Sequence, residues 1–502
     1  MNVMIRTRQA VAAPGGWALP LAGLALGLLA LGLLFRAEVA AAIATWDRSA
    51  AYTHCWLVLP IAIWLAWSRR DRLLVLRPRP SLQLALPALA GAVAWLVAER
   101  LGIMEGRQLV LIGLVWVLVL AVLGWRIAAA MAAPLAYLVF LVPFGEFLTP
   151  LLQDLTLRMI VAGLQITGVP HYVDGLIIEI PSGTFLVAEA CAGLRFLIAA
   201  VAFGALYALV MFRSPGRRAL VMVLALVVPV LANGLRALGI VLYGHYLGNA
   251  EAAAADHLVY GWGFFSVVLL LLVVAGLPFR EDAAVAASCP DALAPLRPAP
   301  LHPATWPTVP RAGALGVAAA ALVAGLAAIG PLAATQLDAG VSPPRSAMAT
   351  LHAPDGCVAE GPALRCGGLT ATARLVVFDP ATNWAAVAGA RRAALDAVDD
   401  AALAFNVHAP GMAWQARQEP AQPGLVAVAV WRDGLPAGDG LRARLAQALS
   451  SLRGGTAAPV LAVVVLRPAP GSGAALSQTL RLILMAQAEG LAAEAARLSQ
   501  TR

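Results

Sequence analysis

The chain has 502 residues, of which 61% are hydrophobic and only 12% are charged, and its mean hydropathy is +0.81. Soluble globular chains carry roughly 45–50% apolar and about 25% charged residues, so this composition excludes an ordinary soluble protein. The formal net charge is +8, and every basic residue other than histidine is an arginine. The arginines cluster between apolar segments, which favours positive-inside membrane topology over nucleic-acid binding.

A helix needs about 20 mainly apolar residues to cross a bilayer, and the first 280 residues contain about eight such segments. The predicted spans lie near residues 17–35, 52–67, 82–99, 108–124, 127–144, 193–212, 219–243 and 258–277. We expect the first span to be retained, because no clear small-residue cleavage site precedes its end and more spans follow. A ninth span is predicted at 312–335, so the predicted fold class is an α-helical polytopic membrane protein.

Two arginine-rich connections predict the orientation of these spans. They follow the second and the sixth span and contain Arg69, Arg70, Arg72, Arg77 and Arg79, and Arg213, Arg217 and Arg218, respectively. The positive-inside rule places both connections in the cytoplasm, and the even number of spans between them agrees. Residues 145–192 and 244–257 are then expected outside.

The outer segment 145–192 leads directly to a cysteine. Residues 148–168 predict an amphipathic helix at the membrane interface, with polar Gln153, Asp154 and Thr156 among apolar residues. The run LIIEI-PSG-TFLV then predicts a β-hairpin, which delivers the chain to Cys191 at the start of the sixth span. Unpaired backbone N–H groups and the helix dipole at such a position favour a thiolate.

Three reactive residues lie at or near the outward ends of consecutive spans: Cys191, Arg236 and His257. Each has an ordinary alternative: a packing thiol, as expected for Cys55, a structural counter-charge and an interfacial histidine. An arginine within an apolar helix costs about 2.5–3.5 kcal/mol on insertion scales and usually serves a function. No acidic residue occurs between Arg213 and Glu251, so the helix of Arg236 offers no local ion-pair partner.

The three side chains predict a thiol-dependent acyl transfer. A thiolate would attack a carbonyl, the imidazole would carry the proton and the guanidinium would stabilise the oxyanion. Asn233, three residues before Arg236, could orient the arginine or contact the substrate. Glu189 and Arg195 flank the thiol and are weaker candidates, since both could be solvated or headgroup-facing charges. We expect no metal site and no cofactor.

The segments that carry these residues resemble the exosortase family, and most closely exosortase A. The similar pieces are LVAEACAGLRFLIA, VVPVLANGLRALGIV and DHLVYGWGFF followed by PFRED, and the resemblance covers roughly residues 15–282. It implies that Cys191 is the nucleophile and that Arg236 and His257 complete the site. Ala192 departs from the pattern, because the family usually has serine after the cysteine.

The resemblance also implies a substrate class and a location. The partners would be secreted proteins that end in a Pro-Glu-Pro motif, a transmembrane helix and an Arg-rich tail. They would be cleaved, and transferred to an acceptor, in connection with exopolysaccharide production. The expected location is the cell inner membrane, with the active site facing the periplasm.

The remaining residues predict a linker, the ninth span and an extracytoplasmic domain. The catalytic domain would cover residues 1–282, a Pro/Ala-rich linker 283–311 and an accessory domain 336–502. Strand-like runs such as ARLVVF, GLVAVAVW and PVLAVVVLR, with helical runs at 390–403 and 440–453, predict a small α+β fold. Cys357 and Cys366 could form a disulfide or remain two free thiols.

By its position the tail resembles the methanolan-biosynthesis-type accessory domain of exosortase A relatives, although it lacks that domain's aromatic-rich signature. Two alternatives to a transpeptidase stay open. One is a purely hydrolytic intramembrane protease, which would use the same three residues. The other is a non-enzymatic polysaccharide export or assembly protein, for which internal repeats would be expected; none is evident here.

Overall fold

The structure is a computed structural model that groups the chain into two compact units. It describes residues 17–500 except 75, 248–256, 282–308, 396–403, 410–411, 419–423, 433, 439, 456–457 and 469–475. The first unit comprises Met1–Ala85 and Leu111–Val323, and the second comprises Leu86–Val110 and Ala324–Arg502. The predicted linker 283–311 lies outside the described residues except for its last three positions.

Apolar helices make up most of the first 340 residues. They are α1 (Ala18–Leu34), α2 (Arg36–Arg48), α3 (Cys55–Trp67), α4 (Arg70–Leu74), α5 (Pro87–Arg100), α6 (Met104–Leu123), α7 (Trp125–Ala130), α8 (Ala132–Tyr137), α9 (Thr149–Thr167), α10 (Leu194–Met211), α11 (Pro215–Leu247), α12 (His257–Gly276) and α13 (Val309–Ala339). Every predicted span therefore contains helix. Exposed leucine, valine and isoleucine side chains cover the outer faces of many of these helices, as expected for surfaces that face lipid.

The number of helices that can cross a bilayer is smaller than the predicted number of spans. Among the described residues, five helical segments are long and apolar enough: Met104–Leu123, Glu146–Thr167, Glu189–Met211, Pro215–Tyr246 and Gly313–Ala339. The bent pair α1 and α2, which meet at 78°, would make six. The chain is thus a polytopic α-helical membrane protein, but the structure does not confirm a total of nine spans.

The predicted span at 127–144 is broken into short pieces. Gly124, at φ 87°, ends α6, and α7 then stops at Ala130. Pro134 lies in α8 and has no N–H to donate to the carbonyl of Ala130, so a continuous helix would lose that bond and clash with the ring. A 3₁₀ turn at Leu138–Leu141 finishes the segment.

Helices α9, α10 and α11 pack closely through small residues. Helices α10 and α11 form an antiparallel pair in which Gly204 lies against Ala225. Helix α9 runs parallel to the second half of α11, where Gly163 faces Leu238 and Gly234 faces Met159. Because a Cβ at Gly163, Gly204 or Gly234 would collide with its neighbour, these glycines let the helix backbones approach each other, as is common in membrane bundles.

The predicted hairpin is present and has a third strand. β1 (Tyr172–Asp174), β2 (Ile177–Ile180) and β3 (Gly183–Leu186) form an antiparallel sheet in the order β1-β2-β3. The sheet buries Ile178 and Ile180 against Ala237 and Val241 of α11 and the end of α9. The segment that follows β3 is thereby fixed beside the C-terminal half of α11.

One carboxylate ties the end of α12 to the turn between α10 and α11. Glu281 Oε2 accepts hydrogen bonds from the backbone N–H groups of Ser214, at 2.8 Å, and Arg213, and Arg217 Nη1 lies 3.2 Å from Glu281 Oε1. Hydrogen bonds from the Ser214 and Arg213 N–H groups, with a smaller contribution from the charge of Arg217, hold the pKa of Glu281 below its usual value. The ionised carboxylate therefore stabilises this turn.

We expect Glu281→Gln to lower the apparent melting temperature of the detergent-solubilised protein at pH 7. A carboxyl group whose pKa is depressed in the folded state stabilises the fold above its unfolded pKa of about 4.3. The wild type loses this contribution as the pH falls through the depressed pKa of Glu281 in the folded protein. The melting temperatures of the wild type and Glu281→Gln should therefore converge at that pH. Glu360→Gln, which breaks an exposed pair with Arg365, is the control; an equal effect at both sites would contradict the prediction.

The second unit contains a nine-stranded antiparallel sheet. Its strands are β4 (Arg345–Ala349), β5 (Cys357–Glu360), β6 (Ala363–Cys366), β7 (Leu369–Val377), β8 (Ala404–Ala409), β9 (Met412–Gln418), β10 (Leu425–Arg432), β11 (Leu435–Pro436) and β12 (Val460–Pro468). The main order is β5-β6-β7-β12-β10-β9-β8, with β4 paired to β7 and β11 to β10. Three helices accompany the sheet: α14 (Trp384–Ala394), α15 (Leu441–Arg453) and α16 (Leu476–Gln500).

Both faces of this sheet are covered. One face packs against α16 and the other against α14 and α15. The strands have buried residues on both faces, and helices cover both faces, which gives an α+β arrangement. Cys357 and Cys366 lie opposite each other on β5 and β6 and are joined by a disulfide. The predicted helix 390–403 begins earlier, at Trp384, and ends at Ala394.

A buried ionic cluster connects the ends of α5 and α13 within the second unit. The Arg100 side chain is fully buried between Glu99 and Asp338, and its Nη2 lies 2.8 Å from Asp338 Oδ1. Asn383 Nδ2 donates to Glu99 Oε1 at 2.7 Å. Removal of one member of such a cluster leaves a buried charge uncompensated. We therefore infer that the cluster fixes the start of the sheet domain, which contains the nine-stranded sheet and its three helices, to the ends of α5 and α13.

Candidate functional site

The backbone holds Cys191 in a short 3₁₀ turn just before α10. The turn, Glu189–Ala192, is closed by the Cys191 N–H, which donates to Ala188 O at 2.8 Å. Gly193 follows at φ 76°, in the left-handed region, and α10 starts at the next residue. The thiol is half-buried and packs beside the cluster formed by the small sheet and α11, so it is reachable but shielded on one side.

Asn233 of α11 holds the Cys191 segment in place. Its Nδ2 donates to Cys191 O at 2.8 Å and lies 3.3 Å from Thr156 Oγ1 of α9. The Asn233 side chain is only 4% exposed, and its carboxamide lies directly against Gly193. The structure thus gives Asn233 a contact with the nucleophile's own backbone, whereas the sequence suggested a role in orienting Arg236 or in contacting the substrate.

Arg236 lies one helical turn beyond Asn233 and is 8% exposed. Its guanidinium carbon lies 5.8 Å from the centre of the Phe196 ring on α10, and that ring packs on Phe265 of α12 at 4.7 Å. A Cβ at Gly261 of α12 would come within 3.1 Å of Arg236 Nη2. The guanidinium is therefore enclosed by three helices, in surroundings where its charge is little screened by water.

His257 is the first residue of α12, and its side chain lies outside the described part of the chain. Along α12, His257 lies one helical turn before Gly261, and Gly261 lies beside the Arg236 guanidinium. The helix therefore carries the His257 backbone to the neighbourhood of Arg236. Its role as the proton carrier stays a prediction.

Two polar residues of α9 support the site and were not selected from the sequence. Gln153 Nε2 donates to Val187 O at 3.1 Å, and Thr156 meets Asn233; both side chains are buried. The sequence pattern grouped them with Asp154 as polar residues of an amphipathic helix, but the Asp154 side chain is 48% exposed and pairs with Arg158 at 2.9 Å. Their separation of three residues, which places them on one helical face, was the available signal.

The other sequence candidates have weaker positions. Glu189 is exposed, and Arg195 is half-buried with its guanidinium carbon 5.6 Å from the same Phe196 ring. Ala192 is buried with Leu152 and Leu197, so a serine hydroxyl at this position would lie in an apolar cluster. Cys55 is fully buried in α3, as expected for a packing thiol.

We expect Gly193→Ala to abolish most of the activity of this site. A single non-glycine residue in the left-handed region costs roughly 1–2 kcal/mol, and the added methyl group would also displace the carboxamide of Asn233. The measurement is the rate of substrate processing by the reconstituted protein at matched abundance. Gly113→Ala on α6, where a Cβ would meet nothing within 4 Å, should process normally; equal rates for the two variants would contradict this account of Gly193.

Comparison with known proteins supports a family assignment for the membrane part. The family model of transmembrane exosortases matches residues 46–274, which include Cys191, Asn233, Arg236 and His257. No curated protein and no solved structure matches the chain. The match indicates a multi-pass membrane protein that takes part in the processing of sorting signals, and it ends before the sheet domain. Residues 46–274 of this chain, a little under half of its length, are therefore similar to transmembrane exosortases.

Proposed function

We propose that this protein is a membrane-embedded cysteine transpeptidase that removes C-terminal sorting signals from secreted proteins. The observation that carries the proposal is the position of Asn233, which binds the backbone of Cys191 and lies one helical turn from Arg236. The backbone of Cys191 is thereby anchored to α11 one helical turn from the buried guanidinium of Arg236. That pairing suits nucleophilic attack followed by stabilisation of an oxyanion.

The proposed reaction has two steps. The Cys191 thiolate attacks the carbonyl carbon of the scissile peptide bond, and the developing oxyanion is stabilised by the Arg236 guanidinium. The carbon–nitrogen bond then breaks, His257 delivers a proton to the leaving amine, and a thioester on Cys191 remains. An acceptor nucleophile attacks the thioester and releases the thiolate, while its proton passes to His257.

The depth of the site suits a substrate that is itself anchored in the membrane. Helix α11 continues from Asn233 to Leu247, which is 14 residues or roughly 21 Å at 1.5 Å per residue. The small sheet packs along this outer part of α11. We infer that the peptide bond approaches Cys191 beside this sheet while the substrate's own apolar helix stays in the bilayer.

The proposed substrates are secreted proteins that end in a Pro-Glu-Pro motif, a transmembrane helix and an Arg-rich tail, and the proposed location is the inner membrane with Cys191 toward the periplasm. The test is mass spectrometry of a substrate processed by the reconstituted protein. A new C-terminus near the motif that carries an added acceptor would support transfer. A free carboxylate would identify a hydrolase, and an uncut substrate would overturn the proposal.

A further inference from the structure

Helix α15, which packs on the nine-stranded sheet, directs polar residues inward and leucines outward. Gln447, which is 0% exposed, and Ser451 lie on its buried face. Its exposed face carries four leucines that are 41–64% exposed and recur at helical spacing: Leu441, Leu445, Leu449 and Leu452. A helix on a water-facing surface has the opposite pattern, with its apolar stripe directed at the core. We call these four residues the leucine stripe.

The buried polar residues fix the orientation of the helix. Gln447 Nε2 donates to Pro380 O at 3.0 Å and to Thr382 O at 2.8 Å, and Gln447 Oε1 accepts from Arg432 Nε at 3.2 Å. Rotation of α15 to bury the leucines would break these buried bonds and leave the polar groups unsatisfied. The leucine stripe is therefore held outward by the fold.

A side-chain hydrogen bond places one end of α15 at the turn between α5 and α6. Arg444 Nη1 donates to Gly102 O at 3.1 Å, in the turn between α5 and α6. Helix α6 is long and apolar enough to cross a bilayer, and α5 exposes a stripe of Leu89, Val93 and Val97. The end of α15 that bears Arg444 thus lies at the turn that precedes a helix able to cross a bilayer.

The charge of α15 is also that of a membrane-surface helix. It contains Arg442, Arg444 and Arg453 and no acidic residue, and Arg442 and Arg453 are exposed. Helices that lie in the headgroup region combine a leucine-rich face with basic residues that attract anionic lipids. We propose that α15 lies on the bilayer that holds the protein, with the leucine stripe inserted at the boundary between headgroups and acyl chains. This inference does not rest on the peptidase reaction.

The test is the accessibility of nitroxide labels on the full-length protein. Single cysteines, Leu445→Cys or Leu449→Cys, are introduced in a background that carries Cys55→Ala, Cys191→Ala and Cys289→Ala and retains the disulfide. Val358→Cys, on an exposed apolar position of β5, is the matched control. Each protein is reconstituted in vesicles of phosphatidylethanolamine with phosphatidylglycerol, and its label is exposed to oxygen, which concentrates in lipid, or to a water-soluble nickel chelate.

We expect the oxygen-to-nickel accessibility ratio at 445 and 449 to exceed the ratio at 358 several-fold. A further rise with the phosphatidylglycerol fraction would support attraction by the arginines. Equal ratios at the three positions would overturn the proposal, because the stripe would then face water. Low accessibility to both reagents, with spin–spin broadening between labels, would also overturn it, because a second copy of the chain would then cover the stripe.

Discussion

Cys191→Ala should leave full-length substrate uncut, with its C-terminal helix attached. Replacement of a catalytic nucleophile removes the covalent route altogether, and rate losses of about 1,000-fold or more are usual. The Cys191 side chain is half-buried, and the hydrogen bond from Asn233 goes to the Cys191 backbone carbonyl and not to the thiol. Loss of the sulfur should therefore leave the Asn233 contact and the fold intact. The measurement is the single-turnover cleavage rate of a reconstituted substrate, with protein abundance matched.

Cys55→Ala is the control for this experiment, because Cys55 is the other free cysteine among the described residues and is fully buried in α3. That substitution removes only a small packing group, so its cleavage rate should stay close to that of the wild type. A Cys191→Ala protein that processes substrate normally would exclude the thioester route and, with it, the proposed reaction.

Arg236→Lys should lower the cleavage rate by about 100-fold to 1,000-fold, the range found when one oxyanion donor is removed. Lysine keeps the positive charge but loses the planar fork of donors and the stacking of the guanidinium on Phe196. If Arg236 acts on the transition state, the loss should fall on the rate at saturating substrate more than on the apparent KM.

Arg158→Lys provides the matched control for this prediction. Arg158 is exposed on α9 and pairs with Asp154, so the same chemical change there should alter the rate very little. A near-normal rate for Arg236→Lys would mean that Arg236 serves only as a buried structural charge. A raised KM with an unchanged maximal rate would instead assign it to substrate binding.

The parts of this fold that were predicted correctly depend on local pattern. Runs of apolar residues identified α6, α10, α11 and α13, and the residues around Pro181-Ser182-Gly183 predicted the β-hairpin that leads to Cys191. Both signals are encoded within about 20 neighbouring residues, because helix formation and tight turns depend on short-range sterics and hydrogen bonds. The broken segment at 125–141 was missed since hydropathy does not register the backbone effect of Pro134.

The sequence by itself determined that this is a polytopic membrane protein, and it singled out Cys191 and Arg236. Only the tertiary structure decided that Asn233 holds the carbonyl of Cys191, 42 residues away, and that Gln153 and Thr156 turn toward the site. It also decided that α15 buries Gln447 and exposes its leucines. An amphipathic pattern defines two faces of a helix, but the packing partners and long-range hydrogen bonds determine which face is buried.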